Sequence, residues 1–138
     1  PHLLFLDSAD RHPQRGRYSY VMADPYQWNH GRVKAGTQPS VLTDASASFY
    51  TTSSTYPDQL PPFRGGLAGM FGYGLHREFE NIPSTPTDDL PVPDLAVGRY
   101  SWVIGFDHHV NRAWLVGREA EIERLIQIRE LLNRPVTT

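Results

Sequence analysis

Apolar residues fall along this chain in short runs and alternations, broken every few positions by proline or glycine. Leu3-Leu4-Phe5-Leu6 is a four-residue apolar run, the length of a short buried strand. Residues 7–16 are polar and carry Pro13 and Gly16, which predicts a loop. Arg17-Tyr18-Ser19-Tyr20-Val21-Met22-Ala23 is aromatic and β-prone and predicts a strand. Asp24-Pro25 ends it, because proline has no N–H to give to a ladder. Residues 31–36, bounded by Gly31 and Gly36, predict a short hairpin strand. Residues 40–57 are rich in Ser, Thr and Ala. They read as a solvated surface (Ser46, Ser48, Ser53 and Ser54), with room for some helix.

Further along, residues 64–74 interleave five glycines with Leu67, Met70, Phe71 and Tyr73. Such glycines let another backbone or a large ring press against a strand. Residues 75–81 predict one or two helical turns, stopped by Pro83 and Pro86, and 84–93 a proline-broken loop. Residues 95–106 alternate as a long strand. Ala96, Gly98, Tyr100, Trp102, Ile104 and Phe106 are expected to form its buried face, and Val97, Arg99, Ser101, Val103 and Gly105 the other. Residues 107–112 read as a turn and 113–116 as the returning strand. Residues 118–132 predict a helix with Ile122, Leu125, Ile126, Ile128, Leu131 and Leu132 on one broad face, ended by Asn133 and Pro135. The sum is an α+β fold: five to seven strands in mostly antiparallel sheet, one long C-terminal helix and one short helix.

Composition narrows the function. With 138 residues, 39% of them hydrophobic, the chain is one domain able to bury a core. Thirteen basic against fifteen acidic residues give a net charge of -2, which recruits neither nucleic acid nor an anionic membrane. No apolar run nears the roughly 20 residues of a membrane span. The absence of cysteine excludes disulfides and a thiol nucleophile and fits a reducing, cytoplasmic compartment. No signal peptide opens the chain, and its start at Pro1 suggests a piece of a longer protein.

Candidate chemistry is sparse. The glycine cluster at 65–74 lacks the Gly-Lys-Ser/Thr ending of a phosphate loop. His108-His109 are adjacent, so on a strand they would point apart, and they read as a hairpin turn rather than a metal pair. His2, His12, His30 and His76 are scattered. Ser8 follows an apolar strand without a nucleophile elbow and reads as a hydrogen-bonding residue at a strand end. Glu78, Glu80, Asp88 and Asp89 read as a solvated acidic face. Arg17 beside Tyr18 pairs a bidentate carboxylate binder with an aromatic ring. Trp28, Trp102 and Trp114 read as packing residues. No self-contained catalytic set emerges.

Three ordered segments carry a resemblance. Residues 61–83, PPFRGGLAGMFGYGLHREFENIP, and residues 92–108, VPDLAVGRYSWVIGFDH, resemble the N-terminal half of chorismate-using synthases. So does the series Leu6-Asp7-Ser8, Gly16-Arg17-Tyr18-Ser19 and Ala23-Asp24-Pro25. The family comprises component I of anthranilate synthase and of aminodeoxychorismate (para-aminobenzoate) synthase. The Phe-Gly-Tyr and Tyr-Ser-Trp-Val wording looks closer to the para-aminobenzoate branch. The resemblance implies that residues 1–138 are a single, non-catalytic N-terminal domain, inactive alone. In the whole enzyme, a glutamine amidotransferase supplies ammonia and component I adds it to chorismate with Mg²⁺. The chorismate and Mg²⁺ residues are expected in a C-terminal chorismate-binding domain, so this chain needs no cofactor of its own. The resemblance also implies a tryptophan pocket at Leu6, Ser8, Arg17 and Tyr18, with Ser8 taking the amino acid's polar end and Tyr18 walling the indole. Asp7 stands where the anthranilate branch usually has Glu, and Gly74 where the family commonly has Asp. The alternatives are a tryptophan-sensing domain of an anthranilate synthase and a stand-alone small-ligand binding module.

Overall fold

The computed structural model describes residues 2–8, 12, 15–32, 57, 59–78, 80 and 92–135. Among the described residues, seven strands run in chain order: β1 (Leu4–Leu6), β2 (Tyr18–Met22), β3 (Gln27–Gly31), β4 (Gly66–Phe71), β5 (Leu95–Tyr100), β6 (Trp102–Asp107) and β7 (Arg112–Gly117). A 3-10 helix spans Tyr73–Glu78, another Glu119–Glu121, and helix α1 covers Ile122–Leu132. The strands form two sheets, ordered β1-β2-β6-β7 and β3-β5-β4, and every ladder among the described residues is antiparallel. The α+β architecture expected from the sequence is the one observed.

The two sheets face each other across one core. Met22 and Val103 from the four-stranded sheet meet Ala68 and Tyr100 from the three-stranded one. Leu4, Tyr20, Phe63 and Val116 pack around them. The chain passes between sheets at Ser101: β5 ends at Tyr100 and β6 begins at Trp102. This bend corrects the expectation of a single long strand with one buried face. Leu95 (4% exposed), Val97 (2%) and Val103 (0%) are as buried as Tyr100 and Trp102, while Ala96 and Phe106 on the expected inner face are only half-buried. Splitting the segment between two sheets gives its halves different surroundings. Leu125 of α1 and Trp102 both lie against Gly117, so the outer face of the four-stranded sheet is also covered at that end.

The glycine-rich segment is β4, and Gly69 shows why glycine is needed. Its φ is +155°, and a Cβ there would stand 2.7 Å from the Val97 Cα and closer still to the Ala96 carbonyl oxygen. Backbone presses on backbone, as the sequence suggested.

Other expectations shift. The strand placed at 31–36 lies upstream, at Gln27–Gly31, because pairing with β5 begins soon after Pro25; residues 33–36 fall outside the described residues. The short helix is a 3-10 helix that starts at Tyr73 rather than Leu75. β1 is an edge strand with Phe5 exposed, not the buried strand its apolar run suggested. The expectations for 40–56 and 84–91, including Asp88 and Asp89, fall outside the described residues, as does the Glu78 side chain. The helix at 118–132 is present, opened by its 3-10 turn. Ile122 (55% exposed) and Ile126 (42%) leave its apolar face largely uncovered.

Candidate functional site

Leu6, Ser8, Arg17 and Tyr18 lie at one end of the β1–β2–β6 ladders. Leu6 closes β1 opposite Tyr20. Just past β1 the Asp7 carboxylate meets the Ser19 hydroxyl, and Ser8 follows. Residues directly opposite in an antiparallel pair share a face, as do alternate residues of one strand, so Leu6, Tyr18 and Tyr20 share one. Ser8 is half-buried just past β1, and Tyr18 opens β2 with its ring 6.2 Å from that of Tyr20. Leu6 and Tyr18 thus lie on one face near the strand ends, with Ser8 just beyond the paired residues.

Arg17 is placed differently. Its guanidinium grips Asp107, the last residue of β6, through Nε at 2.9 Å and an Nη at 2.6 Å, both on Oδ2. It also lies over the Tyr18 ring, 4.9 Å from the centroid. The carboxylate-binding function read from Arg17 is therefore engaged within the fold. Asp107 is buried, and its other oxygen accepts the His109 N–H at 2.9 Å and the Val110 N–H at 3.4 Å. The Arg17 hydrogen bond holds the Asp107 carboxyl below its ordinary range. Burial opposes that shift, and the two backbone N–H groups add to it. Asp107 in turn raises the Arg17 guanidinium further, so this pair stays charged.

A second polar group adjoins the first. Ser19, nearly inaccessible on β2, donates its hydroxyl to Asp7 Oδ1, and His108 Nε2 lies 2.6 Å from the same Oγ. This is not a nucleophile triad. In a triad the carboxylate orients the imidazole, which then takes the serine proton. Here both groups converge on one buried oxygen and bind three chain segments together.

Sequence reasoning missed Asp107, Ser19, His108 and Asp7 as a set, because their contacts span up to 90 residues. One local signal was available. Asp at a strand end, followed by a turn, accepts backbone N–H groups two and three residues on, and Asn111 then takes the left-handed conformation (φ 51°) that closes the hairpin. The turn read at 107–112 is the one observed.

The remaining candidates have structural surroundings. His2 stacks on Trp28 with centroids 4.4 Å apart, so Trp28 packs against the start of the chain rather than in the core. His76 Nδ1 lies 2.5 Å from the Tyr73 carbonyl oxygen. His12, His30 and Glu80 are exposed. Gly74 sits against the Asp94 carboxylate, which would clash with a Cβ there and repel a second carboxylate. Among the described residues, no three His, Cys, Asp or Glu side chains are grouped to hold a metal ion. No helix among them is long and apolar enough to cross a membrane.

No family model matches the chain. It is 33% identical over 119 residues to aminodeoxychorismate synthase component 1 of Salmonella typhimurium, which takes in 78% of this chain and 26% of that protein. It is 43% identical over 74 residues to anthranilate synthase component 1 of Thermus thermophilus, 52% of this chain and 16% of that protein. The crystal structure of anthranilate synthase component I from Streptococcus pneumoniae shares the fold, with a TM-score of 0.71 at 21% identity over 94% of this chain and 32% of that one. The chain spans about a quarter of the length of the aminodeoxychorismate synthase it matches. By sequence and by fold, it is homologous to the N-terminal portion of the anthranilate and aminodeoxychorismate synthase component I family.

Proposed function

We propose that this chain forms the non-catalytic N-terminal domain of an aminodeoxychorismate synthase component I. With a glutamine amidotransferase, that enzyme would convert chorismate to 4-amino-4-deoxychorismate in the folate branch. The observation that carries the reading is the extent of alignment: 78% of this chain with an aminodeoxychorismate synthase, against 52% with the anthranilate synthase of Thermus. The domain's own role is architectural. Its charged groups at the sheet end neutralise one another, and the uncovered apolar positions of α1 give the catalytic portion a surface to pack on. Mg²⁺ would be held by that portion, not by the residues described here. A tryptophan-like amino acid would bind at Leu6, Ser8, Arg17 and Tyr18, with Ser8 taking its polar end and Tyr18 walling the indole.

The test is the protein in its full genomic length, supplied with its glutaminase, chorismate, glutamine and Mg²⁺. Formation of 4-amino-4-deoxychorismate is expected. Formation of anthranilate would transfer the domain to the other branch, where inhibition by tryptophan would make it a sensor. An open reading frame ending near Thr138 would favour a stand-alone binding module.

A further inference from the structure

β1 has little to hold it. It is three residues long, lies at the sheet edge and pairs with β2 alone among the described strands. Leu3 and Phe5 face solvent while Leu4 packs on the core, so apolar burial anchors the strand through one residue and not at its ends. Polar contacts fasten both ends instead. At the start, the Tyr100 hydroxyl donates to the His2 carbonyl oxygen (3.2 Å), and His2 stacks on Trp28. At the finish stands the Asp7–Ser19–His108 group.

Counting protons in that group gives it a direction. A serine hydroxyl has one proton to donate, and a carboxylate only accepts. The Ser19 proton goes to Asp7, so the Oγ can only accept from His108 Nε2 at 2.6 Å. That nitrogen must therefore carry a proton. The His108 backbone is held at this end, its N–H donating to the Arg17 carbonyl oxygen at 2.9 Å, while the residue itself is exposed.

We propose that His108 is a positioning residue: with its proton on Nε2, it heads a one-way hydrogen-bond chain through Ser19 to Asp7 that fastens the end of β1 and so holds Leu6 opposite Tyr20. The significance of that placement for a ligand rests on the tryptophan-like site proposed above; the chain of bonds itself does not. The β6–β7 turn thereby controls a wall built by β1, about 100 residues away in sequence.

The tautomer is read directly by long-range ¹H–¹⁵N correlation of the imidazole in the wild-type protein near neutral pH. A proton on Nε2 of His108 is expected, and the Nδ1–H tautomer would overturn the proposal. Amide hydrogen exchange then tests the fastening in Ser19→Ala, Ser19→Thr and His108→Ala. The β1 amides should exchange about tenfold faster in the Ala variants, with β6 unchanged and Ser19→Thr close to wild type. Unchanged β1 exchange in His108→Ala would overturn the proposal even if Ser19→Ala failed to fold. Calorimetric titration with L-tryptophan separates the two readings. Binding weakened in His108→Ala supports control of the wall. No binding to the wild type removes the pocket, while the tautomer and exchange results still decide the fastening.

Discussion

Gly98 and Tyr100 form a lock whose strength is open to measurement. Gly98 lies mid-strand in β5, paired with Trp28 on β3 and Ala68 on β4. The volume its side chain would occupy is filled by the buried Tyr100 ring. A Cβ there would stand 2.7 Å from Tyr100 Cε2, 2.8 Å from its Cζ and 2.9 Å from the Pro25 Cβ. Carbon atoms rest at about 3.5–4.0 Å, so Gly98→Ala must displace the ring or the strand by roughly 1 Å. The ring cannot retreat freely, since its hydroxyl is bonded to the His2 carbonyl oxygen. Overpacking of this kind costs about 1–3 kcal/mol, and we expect about 2 kcal/mol for Gly98→Ala. Urea unfolding followed by tryptophan fluorescence measures it. Tyr100→Leu removes the two ring atoms that clash, so in that background the same substitution should cost about 1 kcal/mol or less. An equal cost in both backgrounds, or a change within about 0.5 kcal/mol in the first, would refute the reasoning.

Three further outcomes are expected. Met22 is wholly buried between the sheets, so Met22→Ala should lose about 2–5 kcal/mol in the same urea assay; a smaller loss would mean the sheets close over the gap. Asp107 has a lowered pKa when folded, so its contribution is complete above the ordinary carboxylate value and disappears as pH falls through the lowered one. Asp107→Asn should therefore flatten the acid limb of melting temperature against pH, and an unchanged limb would contradict the role given to Arg17. The uncovered α1 residues should make the isolated chain self-associate as concentration rises in light scattering, and Ile122→Glu with Ile126→Glu should suppress it. A wild type that stays monomeric would contradict this.

Much of the architecture could be read from local pattern because local physics decides it. Tyr18–Met22 is β-prone and stopped by Pro25, and the turn before Arg112 carries its own carboxylate acceptor and a left-handed Asn111. The bend at Ser101 was not legible. Alternation continues unbroken through residues 95–106, and only the competition of two sheets for the same segment divides it. The β1 run misled for a related reason: four apolar residues look buried, but their exposure depends on β1 lying at an edge. The family resemblance points to Leu6, Ser8 and Tyr18, and the β1–β2 register sets Leu6 opposite Tyr20, on the face that Tyr18 shares. Arg17 was marked too, but its engagement with Asp107 depends on pairing between strands far apart in sequence.

The account rests on chemistry residing outside this domain. Incubating the purified chain with chorismate, ammonium and Mg²⁺, and following chorismate by chromatography, tests this most directly. Chorismate should disappear no faster than in a protein-free blank, whereas turnover by these 138 residues alone would contradict the account.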